Sequence, residues 1–175
     1  MAEDLETMLT GGHPNSLGRT IEVVDTVFAN PERVEDLYAC YRSADEVVRL
    51  RVSNGMRRVQ AERPDLIVPF YDRLIDEIGQ LDQASAQWTL AKLFEVGRSD
   101  MTEDQVNRAE ALMRRNLAEH GDWIVLNNTM ETLALWSREK QELHNWLLPH
   151  LNRLSKDPRK SVSKRAQKLL KKLAN

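Results

Sequence analysis

The chain has 175 residues, 41% hydrophobic and 30% charged, with a net charge of −2 and a single cysteine. That length suits one domain or one short array of repeats, and a lone Cys40 excludes an internal disulfide. No run approaches the roughly 20 apolar residues of a membrane-spanning helix, and the acidic opening MAEDLETMLTGG lacks the basic and apolar regions of a signal peptide, so a cytoplasmic chain without membrane attachment is expected.

In chain order, residues 1–14 read as a loosely ordered start to a single domain spanning 1–175. Leu17, Ile21, Val24 and Phe28 then recur at helical spacing. Asn30-Pro31 predicts a helix start, with Asn30 as cap and Pro31 preset for the first turn. The segment LYACY puts Cys40 on the apolar side of this helix, as a buried thiol with no histidine near it to activate it. Ser43-Ala44-Asp45-Glu46 fits a capping box ahead of a stripe of Val48, Val52, Gly55 and Val59. Gly55 costs a helix about 1 kcal/mol relative to alanine, which a close helix–helix approach would explain.

Pro64 opens the next helix, through Ile67, Phe70, Leu74 and Ile78, with a bend expected at Pro69. A stripe of Ala86, Leu90, Leu93 and Val96 or Gly97 follows. Thr102 to Gln105 is a second capping box, starting a helix that Gly121 ends after about His120. Asp122 caps the next, striped by Leu126, Met130, Leu133 and Trp136. Asp157-Pro158 begins the last, striped by Val162, Ala166, Leu169 and Leu173. The count is about ten helices, the first short.

These stripes begin at residues 17, 48, 86, 126 and 162, intervals of 31, 38, 40 and 36 residues. A lone helix hairpin cannot bury its stripe, but hairpins stacked at such a period form a continuous core. Val52, Leu90, Leu93, Met130, Leu133, Ala166 and Leu169 are its expected members.

The segment LLPHLNRLSKDPRKSVSKRAQKLLKKL, Leu147 to Leu173, resembles a HEAT repeat of the armadillo-like families. It has a proline early in the first helix (Pro149), an inter-helix Asp157, then Val162 and the spaced Ala166, Leu169 and Leu173. The string Asp45-Glu46-Val47-Val48-Arg49 is similar to the same family's Asp…Val-Arg element, and Leu66-Ile67-Val68-Pro69 repeats the early proline. The copy around Ala86 lacks the Val-Arg pair, and the copy around Leu126 has Asn127 at the basic position. The resemblance implies an all-α, right-handed α-α superhelix of about four to five helix pairs. It implies no activity.

Little in the sequence promises chemistry. His13, His120, His144 and His150 match no metal spacing, Gly11-Gly12 leads into His13-Pro14 instead of a phosphate loop, and no nucleophile elbow is present. No catalytic residue, metal or cofactor is expected, and the sequon Asn127-Asn128-Thr129 should be unmodified within a helix. Trp136 and Trp146 read as structural, and Trp88 as the more exposed tryptophan.

Charge is unevenly spread. From Leu151 to Asn175 there are nine Lys or Arg against Asp157 alone, while the remainder carries sixteen basic and 26 acidic residues. In HEAT-like stacks the second helices line the concave, partner-binding surface. The positions beside the buried stripe there are Arg49, Arg51, Asn54 and Arg58, then Gln87, Trp88 and Lys92, then Asn127 and Asn128, then Lys164, Arg165 and Lys168. The function expected is a non-enzymatic protein-interaction or scaffold module whose partner is a protein or peptide of acidic character. The alternative is nucleic-acid binding through the basic terminal helix.

Overall fold

A computed structural model describes residues 3–174, so residues 1, 2 and 175 of the expected domain lie outside the described residues. Its helices are α1 (Leu5–Leu9), α2 (Thr20–Ala29), α3 (Val34–Ala39), α4 (Glu46–Glu62), α5 (Tyr71–Asp76), α6 (Ala84–Gly97), α7 (Glu103–Glu119), α8 (Trp123–Trp136), α9 (Gln141–Leu154) and α10 (Lys160–Leu173). Short 3-10 turns punctuate the chain before Glu103, and the described residues contain no strand. The architecture is all-helical, and none of these helices is long and apolar enough to cross a membrane. The chain divides into two compact units, the first running to Thr89 and the second beginning at Leu90, inside α6.

The first unit is organised on α4. Val48, Val52, Met56 and Val59 recur every three or four residues, so one face of α4 is buried throughout. Helices α1, α2 and α3 pack against it. The segment 1–14, expected to be loosely ordered, contributes Leu5, Met8 and Leu9 to this core. A methyl group added at Gly55 would sit 3.4 Å from Leu37 of α3, so the glycine marks a close approach in which little room remains.

Several expectations in this unit are corrected. Leu17 and Ile21 are 39% and 44% exposed, because α2 buries Thr20, Val23, Val24 and Val27 instead. Of the expected stripe, Val24 is buried and Phe28 half-buried, while Leu17 precedes the helix and Ile21 faces outward. Asn30 makes no side-chain cap, and Pro31 opens a 3-10 turn. Asp45, not Ser43, caps α4, accepting from the Val47 amide at 2.8 Å, while the Ser43 hydroxyl accepts from the Asp45 amide. Pro64 opens one 3-10 turn and Pro69 is the second residue of another, so the expected continuous helix shrinks to the short α5. A proline lacks the N–H that an interior turn needs, which is enough to break the ladder.

The second unit is regular. Connections of three to five residues join α7 to α8, α8 to α9 and α9 to α10, which makes consecutive helices antiparallel neighbours. Helix α8 packs on α7, α9 and α10. Its stripe of Leu126, Met130, Leu133 and Trp136 is buried, as are Leu90 and Leu93 of α6 and Val162, Ala166 and Leu169 of α10. Burying each of the Val, Leu and Met side chains contributes about 1.5–3 kcal/mol. Gly97 is buried while Val96 is 60% exposed, which settles the last member of the α6 stripe.

The capping box of α7 forms as expected, with Thr102 and Gln105 exchanging bonds of 2.9 and 3.2 Å. Asp122 caps α8 through the Ile124 and Val125 amides. Three details differ. Helix α7 stops because His120 turns extended, with no left-handed glycine at Gly121. Pro149 lies in the C-terminal half of α9. Helix α10 starts at Lys160, two residues after Pro158, because Asp157 turns back to accept from the Arg159 amide and guanidinium.

Candidate functional site

Three of the twelve expected partner-binding residues are buried, and two of them are engaged inward. Arg51 is 1% exposed. Its guanidinium donates to the carbonyls of Leu9 and Gly11 at 2.6 Å, of Ser16 at 3.1 Å and of His13 at 3.2 Å. The loop between α1 and α2 is thus wrapped on a buried cation. Gly18 takes a left-handed φ of 52°, and a Cβ there would lie 2.9 Å from the Arg51 guanidinium carbon. Gln87 is buried, its amide donating to the Ile78, Gly79 and Leu81 carbonyls at the end of a 3-10 turn. Asn127 is 7% exposed, and its Oδ1 has no hydrogen-bond partner among the described residues. These three are corrections to the expected surface, because a polar residue beside an apolar stripe still faces inward when a neighbouring segment covers it.

The other first-unit candidates stay accessible to different degrees. Arg49 is half-buried, donating to the Ser43 carbonyl at 2.7 Å and to Gln83. Arg58 is exposed and donates to half-buried Asn54 at 2.7 Å. Trp88 is half-buried, lining a cleft of about 380 Å³ with Pro14, Glu46 and Leu50.

In the second unit the structure brings Lys92 and Arg165 together on a carboxylate. Lys92 of α6 donates to Glu95 and Glu131, both at 3.2 Å, and Arg165 of α10 pairs with Glu131 from the other side. The Thr132 hydroxyl bonds the Ala91 carbonyl and Glu95 at 3.0 and 2.9 Å. These bonds tie α6, α8 and α10 around a cleft of about 290 Å³. Its apolar floor includes Ala134, Leu135, Leu169 and Leu173, with Leu135 43% exposed. Arg138 and Lys172 stand at its edge, exposed and without an ion-pair partner among the described residues. Asn128 is half-buried, and Lys164 and Lys168 are exposed on α10.

Leu135, Arg138 and Lys172 were not among the expected contacts. A signal existed: Glu131, Leu135 and Arg138 are spaced i, i+4 and i+7, and Arg165, Leu169 and Lys172 likewise, each set on one helix face. Periodicity defines each face but cannot say that the two faces meet.

The remaining reactive side chains are held in local structure. Cys40 is buried, and burial, then the nearby Glu6 and Asp4, pushes its thiol up to about 12, so it stays protonated and bonds the Asp36 carbonyl at 3.2 Å. His13 and His120 each accept from a backbone amide two residues on. His150 stacks on Trp146 at 4.1 Å, and burial lowers its pKa. The sequon is inaccessible, with Asn127 and Thr129 both buried in α8.

No protein-family model matches this chain, and no curated protein matches it.

Proposed function

We propose that the chain is a non-enzymatic protein-interaction or scaffold module, built as a HEAT-like solenoid, that receives a protein partner on the α8–α10 side of its second unit. The observation that carries this reading is the cleft there, whose apolar floor is rimmed by the unpaired cations Arg138 and Lys172. Interaction surfaces combine an apolar centre with a polar rim, and arginine is enriched in them. The antiparallel pairs α7–α8 and α9–α10 support the solenoid assignment, because their second helices pack on each other as stacked repeats require. A cytoplasmic location belongs to the same proposal.

The test is cross-linking mass spectrometry on the full chain purified with its bound partners. With a photoactivated, residue-indifferent reagent, needed because every lysine lies at or after Lys92, cross-links from a co-purifying protein should concentrate on Leu135, Arg138, Leu169 and Lys172. Cross-links confined to the first unit would overturn the choice of surface, and hydrolytic or transfer activity intrinsic to the chain would overturn the reading.

Nucleic-acid binding is favoured by one observation, the exposed Lys160, Lys164, Lys168, Lys171 and Lys172 along α10. Such a face attracts any polyanion at low salt. Selective recognition needs stacking aromatics or bidentate arginines, whereas α10 has no aromatic residue and its Arg165 is engaged by Glu131. The expected result is weak, sequence-indifferent binding that fades by physiological salt and is abolished by exchanging Lys164, Lys168 and Lys171 for glutamate.

A further inference from the structure

We propose that the cleft bounded by α6, α8 and α10 recognises an acidic peptide segment carrying one bulky apolar side chain, an inference that rests on the interaction-module reading above. The volume sets the first limit. At about 290 Å³ the cleft is at or below the small end of ligand pockets, roughly 300–1,000 Å³, so it admits one large side chain and not a helix. The floor decides the chemistry of that side chain. Leu135 is left 43% exposed beside buried Leu169 and half-buried Leu173, so an aliphatic or aromatic anchor removes apolar surface from water on both partners.

The rim decides what flanks the anchor. Of the cations around the cleft, Lys92 and Arg165 are already engaged by Glu95 and Glu131. Arg138 and Lys172 are not paired among the described residues, and together they favour carboxylates on either side of the anchor. A nucleic-acid strand fits less well. The floor offers its bases no aromatic face on which to stack.

The chain's own acidic and apolar stretch, Glu3 to Leu9, is not free to be the occupant. Leu5, Met8 and Leu9 are in the first unit's core, and Glu3 pairs with Arg19 at 2.7 Å. The proposed occupant is a separate polypeptide.

The test uses the full chain and a fluorescein-labelled hexapeptide in which aspartates and glutamates flank one leucine. Comparison probes replace the leucine by glycine, replace the acids by glutamine, or are single-stranded DNA of equal charge. Fluorescence anisotropy should give measurable binding of the first peptide, weakened at least fivefold by loss of the leucine and at least tenfold by Arg138→Glu with Lys172→Glu. Amide chemical shifts should move at Leu135, Leu169 and Lys172. The substituted side chains Arg138, Lys172 and Leu135 are exposed, so unchanged thermal unfolding of the variants will show that folding is intact.

Equal binding of the glycine or glutamine peptide overturns the inference, as does binding that survives the double substitution. Either result leaves the interaction-module reading to its cross-linking test. Tighter binding of DNA that is lost in the double variant overturns both. Concentration-dependent self-association abolished by Leu135→Asp would make a second copy the occupant and overturn the assignment to a foreign peptide.

Discussion

The two units hold their chains together by different means. In the first, α3 and α5 have six residues each, and several segments are 3-10 turns. Helices that short are not stable on their own, so polar side chains reach across to secure them. Arg51 serves four carbonyls, Gln87 serves three, and the Tyr41 hydroxyl shares a bond of 3.0 Å with Ser53. In the second unit, helices of fourteen to seventeen residues satisfy their own backbone. Their polar side chains instead link one segment to the next, as where buried Glu110 of α7 accepts Arg114 at 2.6 Å and Lys140, just before α9, at 2.9 Å. An irregular backbone needs buried donors, whereas a regular one leaves its charged side chains free at the surface. More of the candidate contacts accordingly remain accessible in the second unit, where Asn127 alone is buried, than in the first, where Arg51 and Gln87 are.

The largest effect should follow loss of Arg51. Arg51→Ala leaves several loop carbonyls without their donor, and a buried unsatisfied group costs about 1–3 kcal/mol. A total of roughly 3–5 kcal/mol is expected in denaturant unfolding, with amide exchange accelerating across residues 10–19. A loss below about 1 kcal/mol would mean that the buried cation does not hold the loop. In the second unit, Leu133→Ala removes a fully buried side chain from α8 and should cost about 2–5 kcal/mol without changing exchange in that loop.

Gly18→Ala should cost about 1–3 kcal/mol, because the residue is left-handed and its methyl would press on the Arg51 guanidinium. In the Arg51→Ala background most of the steric part should vanish, and additive costs in that double-mutant cycle would refute the coupling. A smaller loss, about 1 kcal/mol, is expected for Thr102→Ala, which removes one half of the capping box on α7. Differential scanning calorimetry will resolve it.

The smallest effect is on acid stability. The Arg159 guanidinium beside Asp157 holds its carboxyl at about 2, and Arg159 also donates to the Gly121 carbonyl between α7 and α8. A carboxyl depressed in the folded state stabilises fully above its unfolded value, about 3.9, and that contribution is lost as pH falls toward 2. Asp157→Asn should therefore flatten the stability profile between about pH 4 and pH 2 and leave its shape near neutrality unchanged. An unaltered acid limb would place the acid sensitivity elsewhere.

The sequence by itself determined the helical class, the stripes of α4, α6, α8 and α10 and the caps at Thr102 and Asp122. Each of these is set by residues within a few positions of one another, where a 3.6-residue period and one hydrogen-bonding side chain are enough. It also marked the basic α10 face, since exposure is the default for lysine. Only the tertiary structure decided that Arg51, Gln87 and Asn127 turn inward, because the segments that cover Arg51 and the carbonyls that take up Gln87 lie elsewhere in the chain. The same holds for the cleft. Leu135 and Arg138 lie on one helix and Leu169 and Lys172 on another, and only packing across α8 and α10, with Glu131 taking up Arg165, brings them to one place.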